Sequence, residues 1–433
     1  MTSVTVRETA ALQGEVCAPP SKAYTQRMLI AASLSNGTSR VSNPLLSEDT
    51  EAALRAVRAL GARVTQEKDC WTVHGAMPKG ALEPVDCGES GATLRFMIPV
   101  AALASGPTTF LLGRGLSKRP IEPLLQSLKD LGAEAKLQNV DGRVSVRVEG
   151  GGIRGGETAM PGDVSSQFVS GLMFACPLAR EDTALKLTTR LESRSYVVMT
   201  RQVIEQHGVR VEVNEDFSRV RIPGKQTYLP HDGRVPGDFS SAAFLLAAAA
   251  MTKSRVQVKN LQRETVQGDK AILEILKRMG VNGRVCPDHV EIAGSGEALK
   301  TVDVDARDIP DLVPVCTALA CYANGISRIH GAQRLRLKES DRLASLDAEL
   351  RKMGADITVT DDGLTVNGPC RLHGALIDPH SDHRIAMACA VAALGAEGET
   401  TIQDAECVRK SYPRFFHDLR TLGVDVVGGE LDR

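Results

Sequence analysis

The chain is patterned as six apolar, helix-length runs, each opened by a small polar cluster. They begin at Pro20 (PSKAYTQRMLIAASLSNG), Glu89 (ESGATLRFMIPVAALASG), Pro161 (PGDVSSQFVSGLMFACPLA), Pro236 (PGDFSSAAFLLAAAAM), Ile309 (IPDLVPVCTALACYANG) and His380 (HSDHRIAMACAVAALGAEG). Residues 242–250 are apolar on every side, and such a helix belongs inside a domain. A β-rich stretch follows each run, and then a second, amphipathic helix with apolar residues at three- and four-residue spacing. These second helices are predicted at Glu51–Leu60, Ile121–Leu131, Val197–Gln206, Lys270–Met279, Arg342–Met353 and Phe415–Leu422. Each stops at a glycine (Gly61, Gly132, Gly208, Gly280, Gly354, Gly423), the residue best suited to the left-handed conformation that closes a helix. Alternating strands come next, such as 143–148 and 356–360. The pattern predicts an α/β protein of six repeated βαβαββ units with buried helices. A period of roughly seventy residues is too long for a solenoid. Six units are too many for one core, so three per domain is expected.

Composition narrows the class. The 433 residues suggest two or three domains, and the repeat grouping selects two. Lys plus Arg (52) nearly cancels Asp plus Glu (53), and aromatics are 3%. Neither a basic excess nor stacking platforms for nucleic acid are present. The first residues lack the basic start and apolar core of a secretory signal. The uncharged stretch from Phe96 to Gly113 is interrupted by Pro99 and Pro107, so no membrane span is expected. Ten cysteines occur without a CxxC pair, and the spacing of Cys316 and Cys321 fits no zinc pattern. A cytoplasmic protein with reduced thiols and no metal is expected.

Chemistry concentrates where the apolar helices begin. Helix N-termini expose unpaired N–H groups and attract anions. Lys22 and Arg27 stand at the first, Arg95 at the second, Ser165, Ser166 and Gln167 at the third, and His383 and Arg384 at the sixth. Paired serines alone read as N-caps. Further polar groups cluster at 118–120, 307–311 and 337–342. Any one of these is ordinary as a solvated or capping cluster. Their recurrence at equivalent points of a repeat favours binding of anions.

The ordered motifs SerLysAlaTyrThrGlnArg (21–27), GlyGluSerGlyAlaThrLeuArg (88–95), LysArgProIle (118–121), SerSerGln (165–167), ProGlyAspPheSerSer (236–241), AspIleProAsp (308–311), LysGluSerAspArg (338–342) and AspHisArg (382–384) closely resemble the 5-enolpyruvylshikimate-3-phosphate synthase family over essentially the whole chain. The resemblance implies a two-domain inside-out α/β barrel, with residues 1–17 plus 237–433 forming one domain and 18–236 the other. It places the active site in the cleft between them, closing on substrate. It implies transfer of the enolpyruvyl group of phosphoenolpyruvate to the 5-hydroxyl of shikimate 3-phosphate, with release of phosphate and no cofactor. Shikimate 3-phosphate would be held by Lys22, Arg27, Ser165, Ser166, Gln167, Ser193, Tyr196, Asp311, Arg334 and Lys338. Phosphoenolpyruvate would be held by Lys22, Gly91, Arg119, Gln167, Arg342, Arg384 and Lys410. Asp311, Glu339 and Lys22 would carry proton transfer. The partners implied are these two small anionic substrates, without nucleic acid or membrane, and the chain is expected to be a monomer.

Some positions depart from the commoner family pattern. Ala23 lacks a hydroxyl, Glu89 and Ala92 replace Asn and Thr, and Arg334 adds a cation. Gly91 is retained, which favours sensitivity to the competitive inhibitor glyphosate. Asp238, at the start of the fourth run, reads equally as an N-cap or as a residue orienting Lys22 or substrate. The related UDP-N-acetylglucosamine enolpyruvyl transferases usually carry a cysteine in the loop matching 112–119, which has none here. A non-catalytic repeat-built binding protein would not need Asp311 and Glu339 together with so many cations.

Overall fold

The computed structural model describes residues 2–429. The chain divides into two compact units, Met1–Pro20 with Pro236–Arg433, and Ser21–Val235. Both are mixed α/β.

In the first unit, helices Phe239–Met251, Val313–Ala320 and His383–Ala393 are almost entirely buried and touch one another. In the second, Lys22–Ser33, Gly91–Ala102 and Ser166–Ala175 are the buried helices. The amphipathic helices lie at Glu48–Ala59, Glu122–Asp130, Arg194–Gln206, Ile272–Arg278, Arg342–Lys352 and Phe415–Thr421. The first of these starts three residues earlier than the periodicity predicts. Ser47 and Thr50 form a reciprocal capping box there, which supplies partners for the exposed amides of the first turn. All six glycines that follow these helices have positive φ, between +80° and +107°.

Six sheets flank the helices, and they share one sequence of pairings: a parallel pair, then two antiparallel steps. In the second unit the sheets run Gly233–Arg234, Thr38–Ser42, Cys70–His74, Arg63–Glu67; Val85–Asp86, Thr108–Leu111, Arg143–Val148, Ala135–Val140; and Gly156–Met160, Thr183–Leu187, Arg219–Ile222, Glu212–Val213. In the first unit, Ala11–Cys17 lies parallel to Lys253–Lys259, and Val4–Arg7 pairs antiparallel with both Glu399–Ile402 and Val426–Val427. The first strands of the chain thus complete sheets built from its second half. Each sheet has four or five strands and stays open. Among the described residues no strand pairing closes a barrel.

Candidate active site

In the first unit, two buried helices and the amphipathic helix Arg342–Lys352 begin close together, and their starts carry charge. Asp311 lies in the 3-10 turn Pro310–Leu312 that leads into Val313–Ala320. Asp382 caps His383–Ala393 by accepting from the Arg384 amide at 3.0 Å. Arg342 is the first residue of its helix, and its side chain is 1% exposed. Its guanidinium is shared by three carboxylates. Nη1 donates to Asp311 at 2.9 Å, Nη2 to Glu339 at 2.9 Å, and Nε to Asp382 at 2.8 Å. The planar fork of arginine suits this three-way grip, which a lysine could not reproduce.

Two more cations address the same carboxylates. Arg384 lies 3.3 Å from Asp311 Oδ2 and donates to Ser240 Oγ at 2.7 Å, while Lys410 Nζ lies 3.6 Å from Glu339 Oε1. Burial is the largest influence on Asp311 and opposes its ionisation. Arg384, Lys338 and Arg342 together outweigh it and hold the carboxyl well below the usual range. Burial also pulls the Lys338 ammonium down to about 7, against the pull of Asp311. Arg334 adds to that lowering and donates to the Arg307 carbonyl at 2.8 Å. Breaking such a network at one member would leave a buried charge uncompensated, which typically costs about 3–5 kcal/mol.

In the second unit the expected residues fall into three groups. Lys22, first in its helix, donates to Asp49 Oδ2 at 2.9 Å. Arg27, five positions on, points to another side of the helix and is buried. Its Nε donates to Thr200 Oγ1 at 2.8 Å and its Nη2 to the Tyr196 carbonyl at 3.2 Å; the Phe96 ring centroid lies 5.0 Å away. Burial lowers its pKa to about 10, and among the described residues no carboxylate pairs with it. A buried cation without a counter-charge is suited to a bound anion. Ser193, just before Tyr196, is buried in the left-handed region with φ +54°. A non-glycine residue held there signals a backbone constrained by its surroundings.

The third group joins Gly91, Arg95, Arg119 and Gln167. Ser165 caps the helix that Ser166 opens, accepting from the Gln167 amide at 3.3 Å. Arg95 Nη1 donates to Gln167 Oε1 at 2.8 Å. A Cβ added at Gly91 would lie 3.0 Å from Arg119 Nη1 and 3.1 Å from Arg95 Nη1. Glycine therefore lets two guanidinium groups approach a helix N-terminus. Glu89 steadies the loop before Arg119 by accepting from the amides of Gly115 (3.0 Å) and Leu116 (2.6 Å).

Four members of these clusters were not among the assigned site residues: Asp49, Arg95, Asp382 and Asp269. Arg95 stands at a helix start among the cations expected to attract anions, and Asp382 lies in the AspHisArg stretch 382–384, but the resemblance assigns neither to a substrate. Asp269 carried no signal. It is buried, and burial followed by the nearby Asp311 raises its pKa to about 7, while Arg384 opposes the rise. Asp238 caps Phe239–Met251 by accepting from Ser241 N at 3.1 Å. No helix among the described residues is long and apolar enough to cross a membrane.

The family model described as EPSP synthase (3-phosphoshikimate 1-carboxyvinyltransferase) matches residues 6–419. A 3-phosphoshikimate 1-carboxyvinyltransferase of Methanocaldococcus jannaschii is 41% identical over 97% of this chain and 98% of its own length. That of Methanocorpusculum labreanum is 43% identical over 96% of this chain and 97% of its own length. The fold is similar to a solved EPSP synthase from Acinetobacter baumannii, with a TM-score of 0.82 and 26% identity over 99% of this chain and 100% of the other.

Proposed function

The chain belongs to the EPSP synthase (3-phosphoshikimate 1-carboxyvinyltransferase) family, and from that footing we propose how its residues divide the reaction. It is an enzyme of the shikimate pathway that transfers the enolpyruvyl group of phosphoenolpyruvate to shikimate 3-phosphate and releases phosphate. The observation that carries the assignment of roles is the grip of Arg342 on both Asp311 and Glu339, with Arg384 and Lys410 on the same carboxylates.

In our reading Asp311 accepts the proton of the 5-hydroxyl as that oxygen bonds to C2 of phosphoenolpyruvate. Glu339 delivers a proton to the methylene carbon, assisted by Lys22, giving a tetrahedral intermediate. The elimination removes a proton from the new methyl group and expels phosphate by cleavage of its C–O bond, restoring the double bond. Asp311 in the free enzyme is held ionised by its cations and is therefore a weak base. Anionic substrates that engage Arg342, Arg384 and Lys338 weaken that field and raise its proton affinity where catalysis needs it. Fixed cations also stabilise the negative charge of the departing phosphate.

Arg27, Ser165, Ser166, Gln167, Ser193, Tyr196, Arg334 and Lys338 bind shikimate 3-phosphate in this proposal. Gly91, Arg119, Arg342, Arg384, Lys410, Lys22 and Gln167 bind phosphoenolpyruvate. The buried, carboxylate-free Arg27 and the paired guanidiniums beside Gly91 support this division. The shared pairing order of the six sheets supports a repeated βαβαββ unit, three per domain. The expected form is a cytoplasmic monomer.

The test is phosphate release with purified protein. Release requires both substrates together. Asp311→Ala and Glu339→Ala each lower kcat by at least about 100-fold, the scale expected for a lost general acid or base. Near-normal turnover in both variants overturns the acid–base roles. Turnover with a UDP-sugar in place of shikimate 3-phosphate would contradict the choice of acceptor.

A further inference from the structure

A cluster of donors unrelated to the reaction lies at one end of a hairpin in the first unit. Strand Asn282–Val285 turns through Cys286, Pro287 and Asp288 into the antiparallel strand His289–Ala293. The turn is closed by the Cys286 amide donating to the His289 carbonyl at 2.9 Å. His289 and Glu291 are two positions apart on a strand and so face the same way. The Cys286 thiol, which is buried, sits with them: one donor atom from each of Cys286, His289 and Glu291 lies within 4.8 Å of the other two.

The arrangement around the imidazole is specific. His289 Nδ1 lies 2.8 Å from Asp288 Oδ1, and Nε2 lies 3.2 Å from Glu291 Oε1. Both contacts are hydrogen bonds to carboxylate oxygens when Nδ1–H and Nε2–H each donate, so a metal at Nε2 would take the place of that proton. A carboxylate holding the far nitrogen of a histidine is the usual support of a metal-bound imidazole. Among the described residues Glu291 pairs with no lysine or arginine. Lys259, opposite His289 in the neighbouring strand, is engaged by Glu15 at 2.7 Å.

We propose that Cys286, His289 and Glu291 form a zinc site, with Asp288 orienting the histidine and water as the fourth ligand. One thiolate, one imidazole and one carboxylate form a mixed set that suits zinc better than the hard, oxygen-seeking magnesium or calcium. Donors around tetrahedral zinc lie about 3.5 Å apart. Small side-chain rotations suffice to reach that spacing from the observed one. Binding displaces the thiol proton and the Nε2 proton, and the Nε2–H···Glu291 hydrogen bond gives way to a metal bond from each partner. The ion would then cross-link the turn to its following strand. None of these four residues belongs to the set assigned to enolpyruvyl transfer.

The test uses the whole chain, stripped with a chelator and titrated with Co²⁺ and then Zn²⁺. One equivalent of Co²⁺ should give a thiolate-to-metal charge-transfer band in the near ultraviolet, with intense visible bands of a four-coordinate ion. Zn²⁺ should bleach both. Cys286→Ser should abolish the charge-transfer band although the other cysteines remain. Glu291→Gln should weaken binding, and Asp288→Asn should do so by roughly tenfold, the cost of losing an orienting carboxylate. Phosphate release in the absence of metal should be unchanged in all three variants, which also reports that they fold. A wild-type Co²⁺ complex without the thiolate band overturns the proposal. So does a band that persists in Cys286→Ser.

Discussion

Two residues show how environment, more than residue type, sets behaviour. Lys338 is half-buried beside Asp311, and loss of hydration brings its ammonium down to about 7. In the proposed role, its protonated form is the one that binds the phosphate of shikimate 3-phosphate. Raising pH through 7 therefore removes the charge, and kcat/KM for shikimate 3-phosphate should fall along that limb. Lys338→Arg, whose guanidinium stays charged, should flatten it in a pH–rate profile. A declining limb left in place by the arginine variant would assign the titration to another group. Gly91 is set by space. A methyl group there meets Arg119 and Arg95 at 3.0–3.1 Å, so those side chains must move by a few tenths of an ångström. Gly91→Ala should raise KM for phosphoenolpyruvate about tenfold, worth about 1.4 kcal/mol, with affinity for shikimate 3-phosphate little changed in a binding titration.

At the scale of elements, the buried helices and their covering partners were legible because burial writes itself into sequence as period and breadth. The stop glycines were legible for a related reason: only a residue without a Cβ takes that φ cheaply. Their cost should depend on what surrounds each one. Gly208 has φ +80° and would place a Cβ 3.1 Å from Leu229 Cδ1, whereas Gly423 has φ +99° and nothing within 4 Å. Replacement by alanine should cost roughly 1–2 kcal/mol of strain at both. Gly208→Ala should be the more destabilising in chemical denaturation, because a contact is crowded as well. The hairpin bearing Cys286 and His289 was not legible as a donor cluster. Glu291 joins it through strand direction, and Cys286 through the course of the turn.

For the whole molecule, the near-neutral charge said little, because opposite charges are gathered locally. Arg342 alone holds Asp311, Glu339 and Asp382. Many of the residues proposed for the reaction are cations.

The sequence by itself determined the six buried helices, the amphipathic helices with their terminal glycines, and the order of motifs that marks the family. Each depends on interactions within a few turns of chain, where spacing and residue type suffice. Only the tertiary structure decided that the sheets remain open, and that strands near the start of the chain pair with strands hundreds of residues later. It alone paired Lys22 with Asp49, turned Arg27 inward toward Thr200 and Tyr196, and brought Asp382 and Asp269 into the cluster around Arg342, Asp311 and Arg384. Those choices depend on which helix starts converge and on how far charges are removed from water. Neither distance nor desolvation is encoded in the local spacing of residues.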